Sequence, residues 1–327
     1  MRIAISTAWV GGAGGVERAV WTMVKALRGH DVVVFAQSVI QSELLPSEAD
    51  CEIRQFNTKL PWPWTVWRKL QPLREILTEP SEGYFDLYIH FRQAIPLHHV
   101  IRAKRKAIVC AGAQLGALER DFDVVMSEGV DGSRFTSGLL PVVLAPPPHI
   151  PVTREEVAAP NLPEKFFLTV FNPYAAVKGA DIMIRLADSL SLPLVWCYSD
   201  LTLALPTQMA AHERIVHVPN PNQATLNHLY KRCSAYVSFS RSEGFGWAIA
   251  DAIANMKPVY TRAVGVATLF LGQSGLHIYS TEKELAQLLA GSPATEARYD
   301  LSPFSEELFL NRIRGIIEDP VLSSKGS

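Results

Sequence analysis

The stretch Ser240–Ala254 reads SRSEGFGWAIADAIA and predicts a tight glycine turn that leads into an apolar helix. Glu243 stands directly before the turn Gly244-Phe245-Gly246, and Asp251 follows eight residues after Glu243. The first turn of a helix has free backbone N–H groups and the positive end of the helix dipole, an arrangement that suits a phosphate. Gly246 and Asp251 are about a turn and a half apart, so both carboxylates are expected at the mouth of one site.

Two further glycine motifs follow predicted strands. Residues 11–18 read GGAGGVER, in which Gly14 and Gly15 allow close backbone approach and a positive φ. Residues 177–181 read VKGAD and place Lys178 at the start of a predicted helix, Lys178–Leu190, where a cation and a helix N-terminus together suit a diphosphate. The first motif is not a dinucleotide-binding G-x-G-x-x-G, because Glu17 stands where the third glycine belongs.

These three motifs resemble, in order and spacing, those of retaining glycosyltransferases of the GT-B fold, in particular glycosyltransferase family 4. The stretch Ser240–Ala254 is similar to the E-x7-E signature of that family, with Asp251 in place of the usual second Glu. The resemblance extends over nearly the whole chain. It implies an α/β protein of two Rossmann-like domains whose parallel sheets face each other across a cleft.

Length and composition agree with such a protein. A chain of 327 residues is long enough for two domains, and a hydrophobic share of 48% is typical of globular proteins with substantial cores. The net charge of −1 gives no reason to expect a nucleic-acid partner. Four scattered cysteines favour buried thiols in a reducing compartment, and no segment reaches the roughly 18 apolar residues of a membrane span. We therefore expect a cytoplasmic protein.

The chain divides into two halves in which short apolar runs alternate with helical patterns, an arrangement that indicates parallel α/β construction. The stiff linker Ala145–Pro151, with three consecutive prolines, separates the halves. We predict an N-terminal Rossmann-like domain over residues 1–148, on the acceptor side, and a C-terminal Rossmann-like domain over 149–303 that binds the nucleotide sugar. The resemblance implies that a last helix, within 304–327, packs back on the first domain.

The resemblance also implies roles for the motif residues. Glu243 is expected to contact the donor sugar, Lys178 the diphosphate and Asp251 the ribose hydroxyls, which makes Glu243 and Lys178 the candidate catalytic residues. The other candidates for donor binding are Gly14, Gly15, Arg241, Gly244, Phe245 and Gly246. Spacing alone leaves plainer alternatives open, namely a capping Glu with a solvated helix Asp, a surface Lys and an ordinary β–α turn.

Several positions depart from the family pattern. Asn172 stands where these enzymes usually carry an Arg, and Arg241 is the candidate substitute for that cation. The predicted strand at 106–110 is not followed by the His that related enzymes often place near the sugar. His90 and His149 are candidates for that role, or else ordinary packed or exposed histidines. Asp251 is one methylene shorter than Glu, and we predict a weaker ribose contact.

Two other segments raise the questions of a membrane and a metal. Residues 60–74 place Trp62, Trp64 and Trp67 beside three cations. Such a stretch suits peripheral membrane contact or a lipid-linked acceptor, and it equally suits an ordinary core edge. Asp121-Phe122-Asp123 has the form of a metal-binding D-x-D, but its place just before an apolar strand favours a turn. We expect no metal ion.

The first hypothesis is a glycosyltransferase of EC class 2.4 that moves a sugar from a nucleotide diphosphate sugar to an acceptor hydroxyl, with retention and without a metal or a cofactor. UDP- and GDP-linked donors are the most expected, and the acceptor is a glycan, a lipid-linked molecule or a small molecule. The second hypothesis is a catalytically silent GT-B protein that acts as a nucleotide-binding scaffold or a partner subunit. The departures at Asn172 and Asp251 and the missing His favour the second.

Overall fold

The computed structural model describes residues 1–12, 14–55, 84–91, 97, 101–110, 114–151, 162–173, 175–199, 212–291, 293 and 296–319. The chain forms two compact units. Unit 1 contains Met1–Pro148 and the chain from Phe304 onward, and unit 2 contains His149–Pro303. The four cysteines, Cys51, Cys110, Cys197 and Cys233, are buried free thiols, as the sequence predicts.

Unit 1 is built on a parallel sheet of seven strands. The strands are β1 (Arg2–Val10), β2 (Asp31–Val39), β3 (Glu52–Gln55), β4 (Phe85–Phe91), β5 (Ala103–Val109), β6 (Val124–Ser127) and β7 (Val142–Leu144). Their order in the sheet is β3-β2-β1-β4-β5-β6-β7, with Ile3 of β1 beside Val32 and Leu87. Helix α1 (Gly15–Ala26) buries Ala19, Val20, Met23 and Val24 completely, because its apolar residues recur at helical spacing.

Unit 2 repeats the construction with six parallel strands. The elements are β8 (Phe167–Val170), α2 (Ala180–Leu186), β9 (Leu194–Tyr198), β10 (Ile215–Pro219), α3 (Gln223–Arg232), β11 (Ala235–Val237), α4 (Trp247–Ala254), β12 (Val259–Thr261), β13 (Leu276–Ile278) and α5 (Glu282–Ala290). The sheet order is β10-β9-β8-β11-β12-β13. Phe167, Trp196 and Leu285 are among the fully buried residues of one core cluster of this unit. The predicted α/β class with parallel sheets is confirmed.

The last helix, α6 (Glu306–Glu318), belongs to unit 1. It contacts α1, β5 and β7, and Ser305 caps its first turn by accepting a hydrogen bond from the backbone N–H of Leu308 at 3.1 Å. Phe309 and Ile313 are wholly buried on its inner face. The chain therefore returns to the first sheet after completing the second.

The helix predicted over Lys178–Leu190 is shorter than expected. Ala176–Lys178 forms a single turn of 3-10 helix, Gly179 adopts a left-handed conformation with φ of +75°, and α2 runs only from Ala180 to Leu186. The positive φ at Gly179 interrupts the helix, and it places Lys178 in a loop instead of in the first turn. Periodicity does not reveal this break, because the apolar pattern of α2 continues through it.

Each sheet has a point at which the chain reverses its direction of travel across the strands. In unit 1 the chain builds outward through β1, β2 and β3 and then returns to place β4 beside β1; in unit 2 it builds through β8, β9 and β10 and returns to place β11 beside β8. The loops that follow the two central strands begin at this point, at the carboxyl ends of the strands, where open α/β sheets bind ligands.

Candidate functional site

The predicted donor-site residues of unit 2 gather at the reversal point of its sheet. Lys178 lies in the loop that follows β8, and Arg241 and Glu243 lie in the loop that follows β11. We call the described residues 171–173 and 175–179 the β8 loop, and residues 238–246 the β11 loop. The sequence motifs that are about 60 residues apart along the chain thus meet at one end of adjacent strands, as expected from parallel α/β topology.

Backbone contacts join the two loops directly. The N–H of Arg241 donates to the carbonyl oxygen of Val177 at 2.8 Å. A Cβ at Gly179 would lie 2.2 Å from the carbonyl oxygen of Phe239, far inside van der Waals contact. Together with the positive φ, this close approach requires glycine at position 179, and it brings Lys178 against the β11 loop.

Lys178 and Glu243 form an ion pair across the two loops. The Nζ of Lys178 donates to Oε2 of Glu243 at 2.5 Å. The Lys178 side chain is 29% exposed and the Glu243 side chain 11% exposed, so the pair is partly buried but open to solvent. A cation and an anion held together at the carboxyl ends of β8 and β11 form a polar centre that a ligand with both a phosphate and hydroxyl groups can bind.

Arg241 is engaged by a second, more exposed ion pair. Its guanidinium donates to both carboxylate oxygens of Asp181, at 2.9 and 2.6 Å, and to the carbonyl oxygen of Ala176 at 3.0 Å. Hydrogen bonds from Arg241 and then from Arg185 lower the pKa of Asp181. Arg185 also binds Glu282. Arg241 therefore contacts the β8 loop at Ala176, and its charge is paired with Asp181.

The turn Gly244-Phe245-Gly246 leads into α4 as predicted. Gly246 caps the helix in a left-handed conformation, with φ of +86°, and its carbonyl oxygen accepts hydrogen bonds from Ile249 and Ala250. Gly265 packs against the turn, because a Cβ there would lie 2.4 Å from the carbonyl oxygen of Phe245. Val266 donates its N–H to the same oxygen at 2.7 Å. Gly265 and Val266 thus hold the turn in place. Helix α4 begins at Trp247, four residues after Glu243.

Asp251 lies on the buried face of α4 and is bound by a residue that the sequence placed in the linker. Its Oδ1 is 2.8 Å from Nε2 of His149, and both side chains are about one tenth exposed. The phenol of Tyr236 on β11 is buried, and burial, Glu243 and Asp251 all raise its pKa well above the usual value. Both carboxylates therefore disfavour ionisation of the same buried phenol.

Gly14 and Gly15 belong to unit 1, at the start of α1. Gly14 is the residue that caps α1, and its carbonyl oxygen accepts the N–H of Arg18 at 3.1 Å. The Glu17 carboxylate folds back over the loop, so that a Cβ at Gly14 would lie 2.3 Å from Glu17 Oε2. Burial raises the pKa of Glu17. The glycine allows this carboxylate to approach the backbone closely.

The histidines have different surroundings. His90, at the end of β4, is fully buried, with Nδ1 2.8 Å from the Ser6 hydroxyl and its ring stacked on Phe122. Ser6 in turn lies 2.8 Å from the Tyr88 hydroxyl. His90 is therefore a packed histidine of unit 1, the plainer of its two interpretations. His149, in contrast, contacts a predicted site residue.

Two expectations concern a membrane. Trp62, Trp64 and Trp67 lie outside the described residues, so peripheral contact through them stays a prediction. Within the described ranges, none of the helices combines the length and the apolar character that a transmembrane segment requires.

Two contacts of the site were missed by sequence reasoning. Asp181–Arg241 and His149–Asp251 join residues 60 and 102 positions apart, and hydrophobic periodicity carries no signal for pairs of that separation. The sequence offered only the residue types as a signal. His149 is an imidazole within the proline-rich linker, and Asp181 is a carboxylate two residues after Gly179.

Comparison with solved structures gives matches over almost the full chain. HepE from Anabaena, solved in complex with UDP and glucose, has 15% identity and a TM-score of 0.62, with 99% of each chain covered. Sucrose-phosphate synthase from Thermosynechococcus elongatus has 17% identity and a TM-score of 0.64, with 98% of this chain and 96% of that chain covered. WaaG, a glycosyltransferase involved in lipopolysaccharide biosynthesis, has 15% identity and a TM-score of 0.58, with 98% and 96% covered.

These likenesses define the class of fold. The two Rossmann-like units with parallel sheets have the GT-B fold, as predicted. No protein-family model and no curated protein sequence matches the chain. The chemistry must therefore be argued from the residues of the site.

Proposed function

We propose that the protein is a glycosyltransferase that moves a sugar from a nucleoside diphosphate sugar to an acceptor hydroxyl, with retention and without a metal ion. The observation that carries the proposal is the Lys178–Glu243 pair, held by the β8 and β11 loops at the reversal point of the second sheet. The structural likeness to HepE, which was solved with UDP and glucose, supports a ligand of this class.

Lys178 is assigned to the diphosphate. When the bond between the sugar C1 and the phosphate oxygen breaks, the electron pair stays on the diphosphate, and negative charge grows there. The Lys178 ammonium and the N–H groups at the start of α4 are placed to stabilise that charge, an electrostatic role of the oxyanion-hole type. The acceptor oxygen forms the new bond to C1, and its proton ends on the diphosphate. Charge on Lys178 and α4 then takes the place that a metal holds in other transferases.

Glu243 is assigned to the hydroxyls of the donor sugar. In the structure its carboxylate is held by Lys178. A bound diphosphate competes for Lys178, and Glu243 is then released to accept hydrogen bonds from the sugar. The pair thus exchanges partners on binding. Gly244, Phe245 and Gly246 present backbone to the ligand, and Asp251 accepts from the ribose. Arg241 braces the β8 loop through the Ala176 carbonyl oxygen and the start of α2 through Asp181. Gly14 and Gly15 of unit 1 are assigned to a loop that closes on the donor and the acceptor.

Calorimetric titration with UDP, GDP, ADP and dTDP tests the proposal. One diphosphate is expected to bind, and Lys178→Ala is expected to weaken that binding about 10- to 100-fold, the typical worth of a charge-assisted hydrogen bond. Lys283→Ala, on the exposed surface of α5, is the matched control and should bind like the wild type. Equal affinity of Lys178→Ala and wild type, or no diphosphate binding at all, would falsify the assignment.

A nucleotide-binding scaffold without turnover is the second candidate. Asn172 at the end of β8 supplies no cation, and Asp251 is already engaged by His149. Release of free sugar from the donor that carries the preferred diphosphate separates the two functions. Slow hydrolysis that gives the α-anomer by NMR supports a retaining transferase, and hydrolysis rates that do not change in EDTA support metal independence. Tight diphosphate binding without any hydrolysis or transfer supports the scaffold.

A further inference from the structure

The His149–Asp251 contact links the start of unit 2 to the donor site. Nε2 of His149 lies 2.8 Å from Oδ1 of Asp251, and the imidazole ring lies beside Trp247, with 6.4 Å between ring centroids. Because an ionised carboxylate only accepts hydrogen bonds, Nε2 is the protonated nitrogen in this contact. Both side chains are about nine-tenths buried, so the bond is shielded from competing water.

The segment that carries His149 is stiff. Pro146, Pro147 and Pro148 precede it, and Pro151 follows after Ile150. Each proline fixes φ near −65°, and the residue before a proline is held in extended backbone. His149 is also the first residue of unit 2. The backbone on both sides of His149 therefore has few alternative conformations, which lowers the backbone entropy lost when the imidazole is held in place.

The Asp251 carboxylate can accept more than the one hydrogen bond from His149. A carboxylate has two oxygens and about four acceptor positions, and His149 donates to Oδ1. The backbone at Asp251 is tied as well, since its carbonyl oxygen accepts both the N–H and the side-chain amide of Asn255, at 3.0 and 2.8 Å. Helix and imidazole thus hold the carboxylate from two sides.

We propose that His149 is a positioning residue that fixes the Asp251 carboxylate for the ribose hydroxyls of a nucleoside diphosphate. This inference rests on the proposed function. An aspartate is one methylene shorter than a glutamate and has less freedom to adjust its reach, so its orientation has to be set by a neighbour. His149 sets that orientation, and the correct aim of a carboxylate matters most for a ligand group that needs two adjacent hydroxyls bound at once.

The test compares two amide variants. In His149→Gln the side-chain nitrogen occupies the place of Nε2 and keeps the donor, whereas in His149→Asn it occupies the place of Nδ1 and does not reach Asp251. His149→Ala removes the ring. Each variant is titrated with the preferred nucleoside diphosphate and with its 2′,3′-dideoxy analogue. His212→Ala, which removes an imidazole of the same unit 3.4 Å from Asp188, is the control.

The wild type should bind the ribose form about tenfold more tightly than the dideoxy form, the usual effect of a hydrogen bond to a charged group. His149→Ala and His149→Asn should lose most of that preference by weakening only the ribose form, and His149→Gln should keep it. Thermal unfolding of all four variants shows that they are folded.

Three results overturn the inference. Equal weakening of both ligands in His149→Ala and His149→Asn indicates a purely structural histidine. Full ribose preference in His149→Asn shows that the Nε2 donor is not needed. A wild type that binds the diphosphate without ribose preference removes Asp251 from the ribose, while the Lys178 assignment stands. Absence of any diphosphate binding in the wild type overturns the proposed function as well, so the two failures are distinct.

Discussion

The points at which the chain reverses across the two sheets have the same topology but differ in the side chains they carry and in how deeply those side chains are buried. In unit 1, β1 and β4 hold a fully buried cluster of two hydroxyl groups and an imidazole, Ser6, Tyr88 and His90. In unit 2, the loops after β8 and β11 hold two ion pairs, Lys178–Glu243 and Arg241–Asp181. The first set is packed beneath the strand ends, and the second is open to solvent.

Two carboxyl groups, one in each unit, have pKa values shifted in opposite directions. Glu128 directly follows β6 of unit 1; it is 5% exposed, and burial raises its pKa to about 7. Asp181 of unit 2 is paired with Arg241 and Arg185, which lower its pKa. Burial in one place and paired arginines in another therefore shift the pKa values of carboxyl groups in opposite directions within one fold. Topology sets where the loops meet, and local residues decide whether the place suits an anionic ligand.

The largest effect is expected from Gly179→Ala, which tests whether the loops of unit 2 must touch. The new Cβ would overlap the Phe239 carbonyl oxygen at a φ of +75°, and strain plus displacement should cost more than about 3 kcal/mol of unfolding free energy. Gly272→Ala is the matched control, with a φ of +80° and no atom within 4 Å; it should cost only about 1–2 kcal/mol. Urea unfolding measures both, and equal costs would show that the loop contact is dispensable.

Glu128→Gln should have the next largest effect, and it is specific to unit 1. The folded pKa of about 7 lies above the ordinary glutamate value of 4.5. Glu128 therefore contributes its stability below about pH 4.5 and loses it as the pH rises through about 7, in total roughly 3 kcal/mol. Unfolding curves at pH 5 and pH 8 should show the variant gaining stability relative to wild type at pH 8. The exposed Glu164→Gln is the control, and a difference between wild type and Glu128→Gln that does not change with pH contradicts the prediction.

Glu243→Gln is expected to change binding instead of folding. The variant releases Lys178 from its ion pair, so the free diphosphate should bind about 2- to 5-fold more tightly, at the upper end of the range for a partly exposed pair. Turnover of the donor sugar should fall, because the sugar loses its carboxylate. Calorimetry and a sugar-release assay separate the two effects. Glu282→Gln, which weakens the Arg185 pair on the same unit, serves as control; weaker diphosphate binding in Glu243→Gln would contradict the exchange of partners.

The smallest effect is expected from Arg241→Ala. Its pair with Asp181 is about half exposed, and such pairs contribute about 0.2–1 kcal/mol. The main-chain bond from Arg241 to Val177 remains in the variant. Diphosphate affinity should fall less than in Lys178→Ala, and a double-mutant cycle with Asp181→Ala measures the coupling. A loss as large as that of Lys178→Ala would make Arg241 a direct ligand and would place a second cation on the diphosphate.

The fold was predictable because its signals are local. Alternating apolar runs define the strands and helices of both sheets, and the glycines of Gly244-Phe245-Gly246 mark the turn before α4. The break at Gly179 was not predicted, since the apolar positions of α2 run on through it and only the backbone conformation shows the interruption.

The sequence predicts which residues belong to the site, but it does not predict which of them contact each other. Lys178, Glu243 and Asp251 were chosen from motifs, but the partner of each depends on how distant strands meet. His149 illustrates the limit. A histidine after three prolines gives no local indication that it contacts a helix 102 residues further along the chain, and His90, also at a strand end, turned out to be packed in a core.

The hydrogen bond from Arg241 N–H to the Val177 carbonyl has a further consequence for how this site can change over evolutionary time. Main-chain atoms and one glycine hold the β8 and β11 loops together, so the framework does not depend on which side chains the loops carry. Residues that select a ligand are then free to diverge without loss of the scaffold. Duplicated copies of such a gene can acquire new substrates through a few point substitutions, while the architecture beneath them is inherited unchanged.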